Sequence, residues 1–388
     1  MPAIYITGMA ISGLFIFFIL TKKQTRFADY LLIAINLLLC GFLLLDWLVK
    51  ERITVTRFFL QTSIPYLIFP IYFVFALESM QERNYQQLRW WLFFVPFVLS
   101  VGFLTADMFF LRTYDQQALE QLYNDPPLSY QIIYKGNQIY FLITLCWLLS
   151  RLKKYAQEIK DRFSFTDPIQ LDWLTNTTWV YLAVQVVSMS VFLASNFNLF
   201  PIDIRAAYSV VGVSIVMSIF YVSFHGIRQY SIAHYYGTQI PRASPVTSPA
   251  GPETEPESAF SKEKYKSSSL SAEEQAVIYD RLLALFAEKS LYLEPKLQLQ
   301  EVADELQVTT HHLSQTINSI QGQPFYDFVN AYRVRHLQKL LADPAQKRFT
   351  ILALGLESGF NSKASLNRVF KQETGLSPKE YQILHLAD

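Results

Sequence analysis

Cysteine is nearly absent. Cys40 and Cys146 are the two in the chain. Both lie in apolar runs, cannot make a disulfide framework and do not match metal-ligand spacing, so they read as small buried side chains. Charge is scarce as well: 17% of 388 residues are Asp, Glu, Lys or Arg, less than a soluble protein of this length normally carries. The net charge of +1 says nothing about a polyanionic partner, so any basic patch has to be local. No Walker loop, His-Glu-x-x-His, nucleophile elbow or kinase signature occurs, and Ser150-Arg-Leu-Lys153 fits Ser-x-x-Lys only at the level of chance. The chain is therefore not read as an enzyme, and no cofactor or metal is implied. A basic n-region and a small-residue cleavage site are also lacking before Lys22, which reads as a retained first span rather than a signal peptide.

Apolar sequence is abundant: 51% of residues are hydrophobic and 15% aromatic, with a mean hydropathy of +0.18. It fills the chain up to about Phe224 and then gives way to polar sequence. A bilayer-crossing helix needs roughly 17 to 25 mostly apolar residues. Seven windows qualify or nearly do: about Ile4 to Leu20, Tyr30 to Val49, Phe58 to Leu77, Trp91 to Phe110, Ile133 to Leu149, Trp179 to Ala194 and Ala206 to Phe224. The fifth is interrupted by Lys135, Asn137 and Gln138; without it six spans remain and the termini share a side. With the C-terminus inside, ten Lys and Arg fall in inner loops and six in outer ones, which favours seven spans with the N-terminus outside.

Asp46, Arg57, Gln61, Asp107, Asn137 and Arg205 gather near the outer ends of these spans. Ionisable groups in a bilayer cost at least ~2.5 kcal/mol each, so they pair or line a cavity. Two readings stay open: an outward-facing ligand pocket that includes Asp46, Arg57, Asp107 and Asn137, or interface-level residues that flank the spans. Pro65, Pro70 and Pro96 are candidate kinks. From Gly237 to Ser269, five prolines lie among Ser, Thr and Glu with no apolar periodicity, which reads as a disordered linker of roughly 30 Å r.m.s. span.

Ser271 and Glu274 make a capping box, opening a helix with Val277, Leu282, Leu285 and Phe286 on one face. Leu299, Val302, Ala303 and Leu306 then mark an amphipathic helix, Gln307 and Val308 a turn, and Thr309 or Thr310 the cap of a second helix holding Leu313 and Ile317. The small Ala303 permits the close crossing of a helix-turn-helix. The pattern recurs: Ile351, Leu354 and Gly355 match Leu299, Val302 and Ala303 at an offset of 52, and Leu366 and Phe370 match Leu313 and Ile317 at 53. The extra residue falls at the Ser358-Gly359-Phe360 turn, where glycine can supply a positive φ.

Between the two units, Pro324 to Leu341 shows helical spacing, a rod of about 27 Å, close to the ~34 Å between successive major-groove faces of B-DNA. Gly375 reads as a C-cap, followed by Ser377, Pro378 and Glu380 as N-cap, N1 proline and capping-box partner of a last helix. From Arg333 to Lys371 eight bases face two acids, and from Ala272 to Glu305 three bases face eight acids. This polarity would turn one end of the domain toward phosphates.

The stretch Phe349 to Tyr381 resembles the second helix-turn-helix of AraC-type transcriptional regulators, with its Gly-Phe turn, Phe370-Lys371 pair and Gly-x-Ser-Pro-x-x-Tyr close. The first unit and the Arg333-bearing connector are similar too, over about 100 residues. The resemblance implies sequence-specific binding of double-stranded DNA in two adjacent major-groove segments, with RNA polymerase a candidate partner. For the first 230 residues it extends only to membrane-bound members of the group with a polytopic N-terminal half. Gly355 stands where the family usually has alanine, Leu337 where alanine is common, Leu366 where an aromatic is frequent, and Gln382 where arginine is usual.

On the first recognition helix the candidate contacts are Thr310, His311, His312, Gln315 and Thr316, placed at its N-terminal end or opposite Leu313 and Ile317. On the second they are Ser362, Lys363, Ala364, Asn367, Arg368 and Lys371, with Arg333 added from the connector. Arg and Lys pair with guanine, Asn and Gln with adenine, and Thr or Ala touch a thymine methyl; the alternative for each is a contact to phosphate or water. His311 and His312 diverge by about 100° on a helix, which argues against a shared metal.

The expected architecture is all-α: a seven-helix transmembrane bundle over 1–236, a disordered linker over 237–270, and an AraC-type double helix-turn-helix over 271–388. It would sit in the bacterial inner membrane with its C-terminal domain in the cytoplasm. The expected function is a one-component sensor and transcription regulator. The competing reading is a transporter-like membrane protein with a C-terminal regulatory interaction module. Ligand, operator and oligomeric state stay open, although Tyr- and Phe-rich spans could pack as a homodimer.

Overall fold

The computed structural model describes residues 2–22, 25–48, 55–80, 90–107, 127–167, 169–196, 216–217, 219–228 and 270–386. Among them the regular elements are helical and none is a strand; an isolated bridge pairs Phe163 with Gln298. The chain divides into two compact units, one of Met1–Lys153 with Leu171–Tyr235 and one of Lys154–Gln170 with Tyr236–Asp388. The expected linker at 237–269 lies outside the described residues.

The first unit contains α1 (Pro2–Leu20), α2 (Phe27–Leu48), α3 (Val55–Ser79), a 3₁₀ turn at Trp90–Phe94, α4 (Val95–Ala106), most of α5 (Leu128–Arg162) and α6 (Asp172–Asn196). The described residues from 216 to 228 are helical too. Two of these helices are long and apolar enough to cross a bilayer, at Phe27–Leu44 and Leu128–Arg162; Ile6–Leu20, Leu67–Ser79 and Trp91–Ala106 are shorter apolar helices. The described residues thus supply two helices that pass on length and composition where seven spans were expected. Pro96 sits in the first turn of α4, so it opens that helix, where its missing N–H is not needed, and does not kink it. At 1.5 Å per residue the 35 residues of α5 extend about 52 Å, well beyond a hydrocarbon core of ~30 Å.

The core of this unit is mainly apolar, from Ile19, Leu32, Leu39, Phe75, Leu77 and Leu148, but large apolar side chains also face outward and several polar ones are buried. Phe17, Val98, Leu99 and Ile143 are each more than 60% exposed, while Asn36, Ser100, Asn137, Gln138 and Thr178 are buried. The buried groups pair between helices: Asn36 Nδ2 donates to Ser223 Oγ (2.8 Å), Asn137 Nδ2 to Ser100 Oγ (2.7 Å) and Gln185 Nε2 to Gln138 Oε1 (2.9 Å). Asn137 and Gln138, two of the polar residues that interrupted the fifth apolar window, therefore hold α5 to its neighbours.

The second unit's C-terminal helices are α7 (Ala272–Lys289), α8 (Leu299–Leu306), α9 (Thr310–Gln321), α10 (Phe325–Ala342), α11 (Ile351–Glu357), α12 (Lys363–Thr374) and α13 (Pro378–Leu386). Both halves of the Ser271–Glu274 capping box form. The apolar face of α7 is Ile278, Leu282 and Phe286, whereas Val277 is 58% exposed, one position off the expected stripe. Two cores build on α10. Phe325, Phe328 and Val329 join α7, α8 and α9, while Tyr326, Val334, Leu337 and Leu341 join α11 and α12. One helix thus carries one face of each helix-turn-helix.

Candidate nucleic-acid interface

The two helix-turn-helix units close by the same backbone device. In the first, Gln307 takes a left-handed φ of 56° and Val308 N donates to Ala303 O at 3.0 Å. In the second, Gly359 has a φ of 87° and Phe360 N donates to Gly355 O at 3.0 Å, 52 positions on in each case. The next helices are capped alike: Thr309 accepts from His312 N (3.1 Å) and Ser362 from Ser365 N (3.0 Å), which fixes the cap at Thr309. The caps are 53 apart, so the extra residue is Asn361, just after the glycine turn. Its Nδ2 donates to Pro295 O at 2.6 Å.

On α12 the expected face is open: Lys363, Ala364, Asn367, Arg368 and Lys371 are exposed, and Ser362 is half-buried as the N-cap. Arg368 lies 5.9 Å from the centroid of the Tyr326 ring and donates to its hydroxyl at 3.1 Å. Burial lowers its pKa, but Tyr326 and then Asp167 outweigh that and leave it raised, so the guanidinium stays charged. Beneath it on α10, burial raises the carboxyl of Asp327 against the pull of Lys160 and Arg368.

On α9, His311 is exposed, and Thr310, His312 and Gln315 are half-buried. Thr316 is a correction: it is fully buried beside Leu313 and Ile317, and its Oγ1 has no hydrogen-bond partner among the described residues. The offset of 53 explains this, because its counterpart is the core residue Val369. The same offset assigns Ser314 and Asn318 as counterparts of Asn367 and Lys371. Neither was expected, although the repeat alone could have found them.

Arg333 is the second correction. It is 1% exposed, with its guanidinium turned into the domain rather than presented at the surface. Its Nε donates to Tyr292 O (2.8 Å), Nη2 to Glu294 O (2.7 Å) and Ser164 Oγ (2.8 Å), and Nη1 to Ser164 O (2.8 Å). Burial lowers its pKa to about 10, which leaves it charged at neutral pH. Gly359 belongs to this arrangement: a Cβ there would meet Tyr292 O at 2.5 Å and Arg333 Nε at 3.0 Å. The remaining bases of the segment, Arg335, Lys339, Lys347 and Arg348, are exposed.

In the first unit, Asp107 and Asn137 are buried and hydrogen-bonded to other described residues. Asp107 Oδ2 accepts from Tyr130 Oη at 2.5 Å and Asn137 is bonded to Ser100. The side chains of Asp46, Arg57, Gln61 and Arg205 lie outside the described residues. A small aromatic crevice of about 10 Å³ lies between Phe69, Tyr72, Phe73, Phe93, Tyr140 and Phe141. Among the described residues no three His, Cys, Asp or Glu cluster as metal ligands.

Residues 302–382 match the family model described as a helix-turn-helix domain. The region is thus a helix-turn-helix domain. An uncharacterized HTH-type transcriptional regulator from Staphylococcus aureus (strain COL) is 32% identical over 92 residues, 24% of this chain and 12% of the relative. Uncharacterized HTH-type transcriptional regulators from strains MSSA476 and N315 match to the same extent. The chain therefore spans about an eighth of the length of the curated relatives it matches. No solved structure matches it significantly.

Proposed function

We propose that this protein is a membrane-anchored, sequence-specific DNA-binding transcription regulator whose two recognition helices, α9 and α12, enter adjacent major-groove segments. The repeated helix-turn-helix with an exposed basic face on α12 carries this reading. Lys363, Arg368 and Lys371 supply phosphate or guanine contacts, and Asn367 an adenine contact. The outward apolar and inward polar residues of the first unit, with its two bilayer-length helices, support residence in a membrane, with the helix-turn-helix domain on the cytoplasmic side. The transmembrane half is then the sensor, and its signal changes DNA affinity.

Full-length protein in detergent, incubated with fragments of its source genome, should protect two neighbouring helical turns. With about six phosphate contacts, affinity should fall on the order of 10³-fold between 50 and 200 mM salt. Binding that ignores salt, or no protection on any fragment, would discard the proposal.

A further inference from the structure

Residues 163–167, the short stretch after α5, fold as part of the unit that holds the helix-turn-helix domain. Phe163 bridges Gln298, and Ser164 N donates to Leu297 O at 3.1 Å. Ser164 O accepts from Arg333 Nη1 (2.8 Å) and Asn330 Nδ2 (3.3 Å), and its hydroxyl accepts from Arg333 Nη2 (2.8 Å). Phe163, Ser164, Phe165 and Thr166 are all buried. From this anchor Asp167 reaches the start of α12. Its Oδ2 accepts from Ser362 Oγ at 2.8 Å and its Oδ1 from Arg368 Nη2 at 3.1 Å.

A carboxylate with two acceptor oxygens on a helix N-cap and on an exposed arginine occupies the groups that a DNA phosphate would use. Resting on the reading that α12 enters a major groove, we infer that residues 163–167 are a built-in competitor of DNA, with Asp167 latching the second recognition helix. The anchor and the latch differ in strength. Ser164 is 1% exposed, whereas the Asp167 and Arg368 side chains are 29% and 45% exposed. A solvated ion pair is weak and screened by salt, so the latch can open while the anchor stays closed. The stretch follows α5 directly in sequence.

The test compares full-length wild type, Asp167→Asn and Asp167→Ala in detergent on a duplex selected from genomic fragments. Hydrogen exchange over 299–381 checks that each variant is folded. An open latch should raise affinity about threefold to tenfold, the inverse of the open fraction in the wild type, and steepen the salt slope by about one contact. If the wild type binds and both variants bind equally or more weakly, Asp167 positions Arg368 or does nothing, and the competitor is overturned with DNA binding intact. If no duplex is held by any of the three proteins, both the competitor and the DNA reading fall.

Discussion

Gly355 and Leu366 meet across the second helix-turn-helix with no room for another carbon: a Cβ at Gly355 would stand 2.6 Å from Leu366 Cδ2 and 3.0 Å from Cδ1. Ala303 holds the corresponding place in the first unit, so the two crossings are packed differently. Gly355→Ala gains about 1 kcal/mol of helix propensity but overpacks a site where Leu366 is 1% exposed, at about 1–3 kcal/mol. The expected net effect is a loss of stability, read as faster amide exchange in α11 and α12. Adding Leu366→Val should return part of it. An additive double mutant would show that the two residues do not clash.

Arg333 holds four oxygens at bonding distances of 2.8 Å or less. Arg333→Ala strips the carbonyls of Tyr292 and Glu294 of these donors, and a buried acceptor left unmade costs about 1–3 kcal/mol. The domain should lose about 3 kcal/mol or more in urea unfolding. Arg333→Lys cannot span all four acceptors with one ammonium and should recover only part. A variant of wild-type stability but weakened DNA binding would return Arg333 to the interface.

Thr316→Val tests the repeat in the opposite direction. The hydroxyl is buried without a partner among the described residues, and the counterpart Val369 is a core residue. Val has nearly the same shape, so removing the hydroxyl should stabilise the domain by about 1 kcal/mol and leave DNA affinity unchanged. A loss of affinity would mean that Thr316 reaches the duplex.

His336 predicts a pH dependence. Burial lowers its pKa below the ordinary value of 6.5, with Glu357 opposing and Lys339 assisting. Ser358 Oγ spends its proton on Leu354 O (2.8 Å), so the His336 Nδ1 at 3.2 Å is the donor to it. The folded state binds fewer protons than the unfolded chain just below pH 6.5, so stability is full above that value and falls as pH drops. Wild type should lose more of its unfolding midpoint than His336→Asn between pH 7.5 and 5.5. Parallel losses would remove the histidine from the account.

Local signals told most about the C-terminal domain because its boundaries are set by local chemistry. Ser271 with Glu274, Ser377 with Glu380, and Gly375 at a φ of 77° act within a few residues, and the stretch read as Pro324 to Leu341 is the helix Phe325–Ala342. Packing at the edge of an apolar stripe was harder to read: Val277 and Thr316 each lie one position from a core residue, where a 100° step decides between water and core. The contacts of Ser164 and Asp167 leave no periodic trace. They join residues 169 and 201 positions apart to Arg333 and Arg368, and such pairs become visible only once the chain is folded.

The repeat also relates charges between the two recognition helices. Lys371 and Asn318 hold corresponding exposed positions, one basic and one neutral, with Asn318 Nδ2 bonded only locally, to Ser314 Oγ at 3.3 Å. If α9 and α12 approach the duplex in the same way, Lys371→Ala removes a phosphate contact and makes the slope of log affinity against log salt shallower by about 0.9. Asn318→Lys adds the matching contact on α9 and should steepen the slope by the same ~0.9, raising affinity at low salt on all sequences alike. Titrations at four salt concentrations with the full-length variants separate the cases. If the slope responds at Lys371 but not at Asn318, α9 does not lie against phosphates as α12 does, and only one reading head engages the duplex.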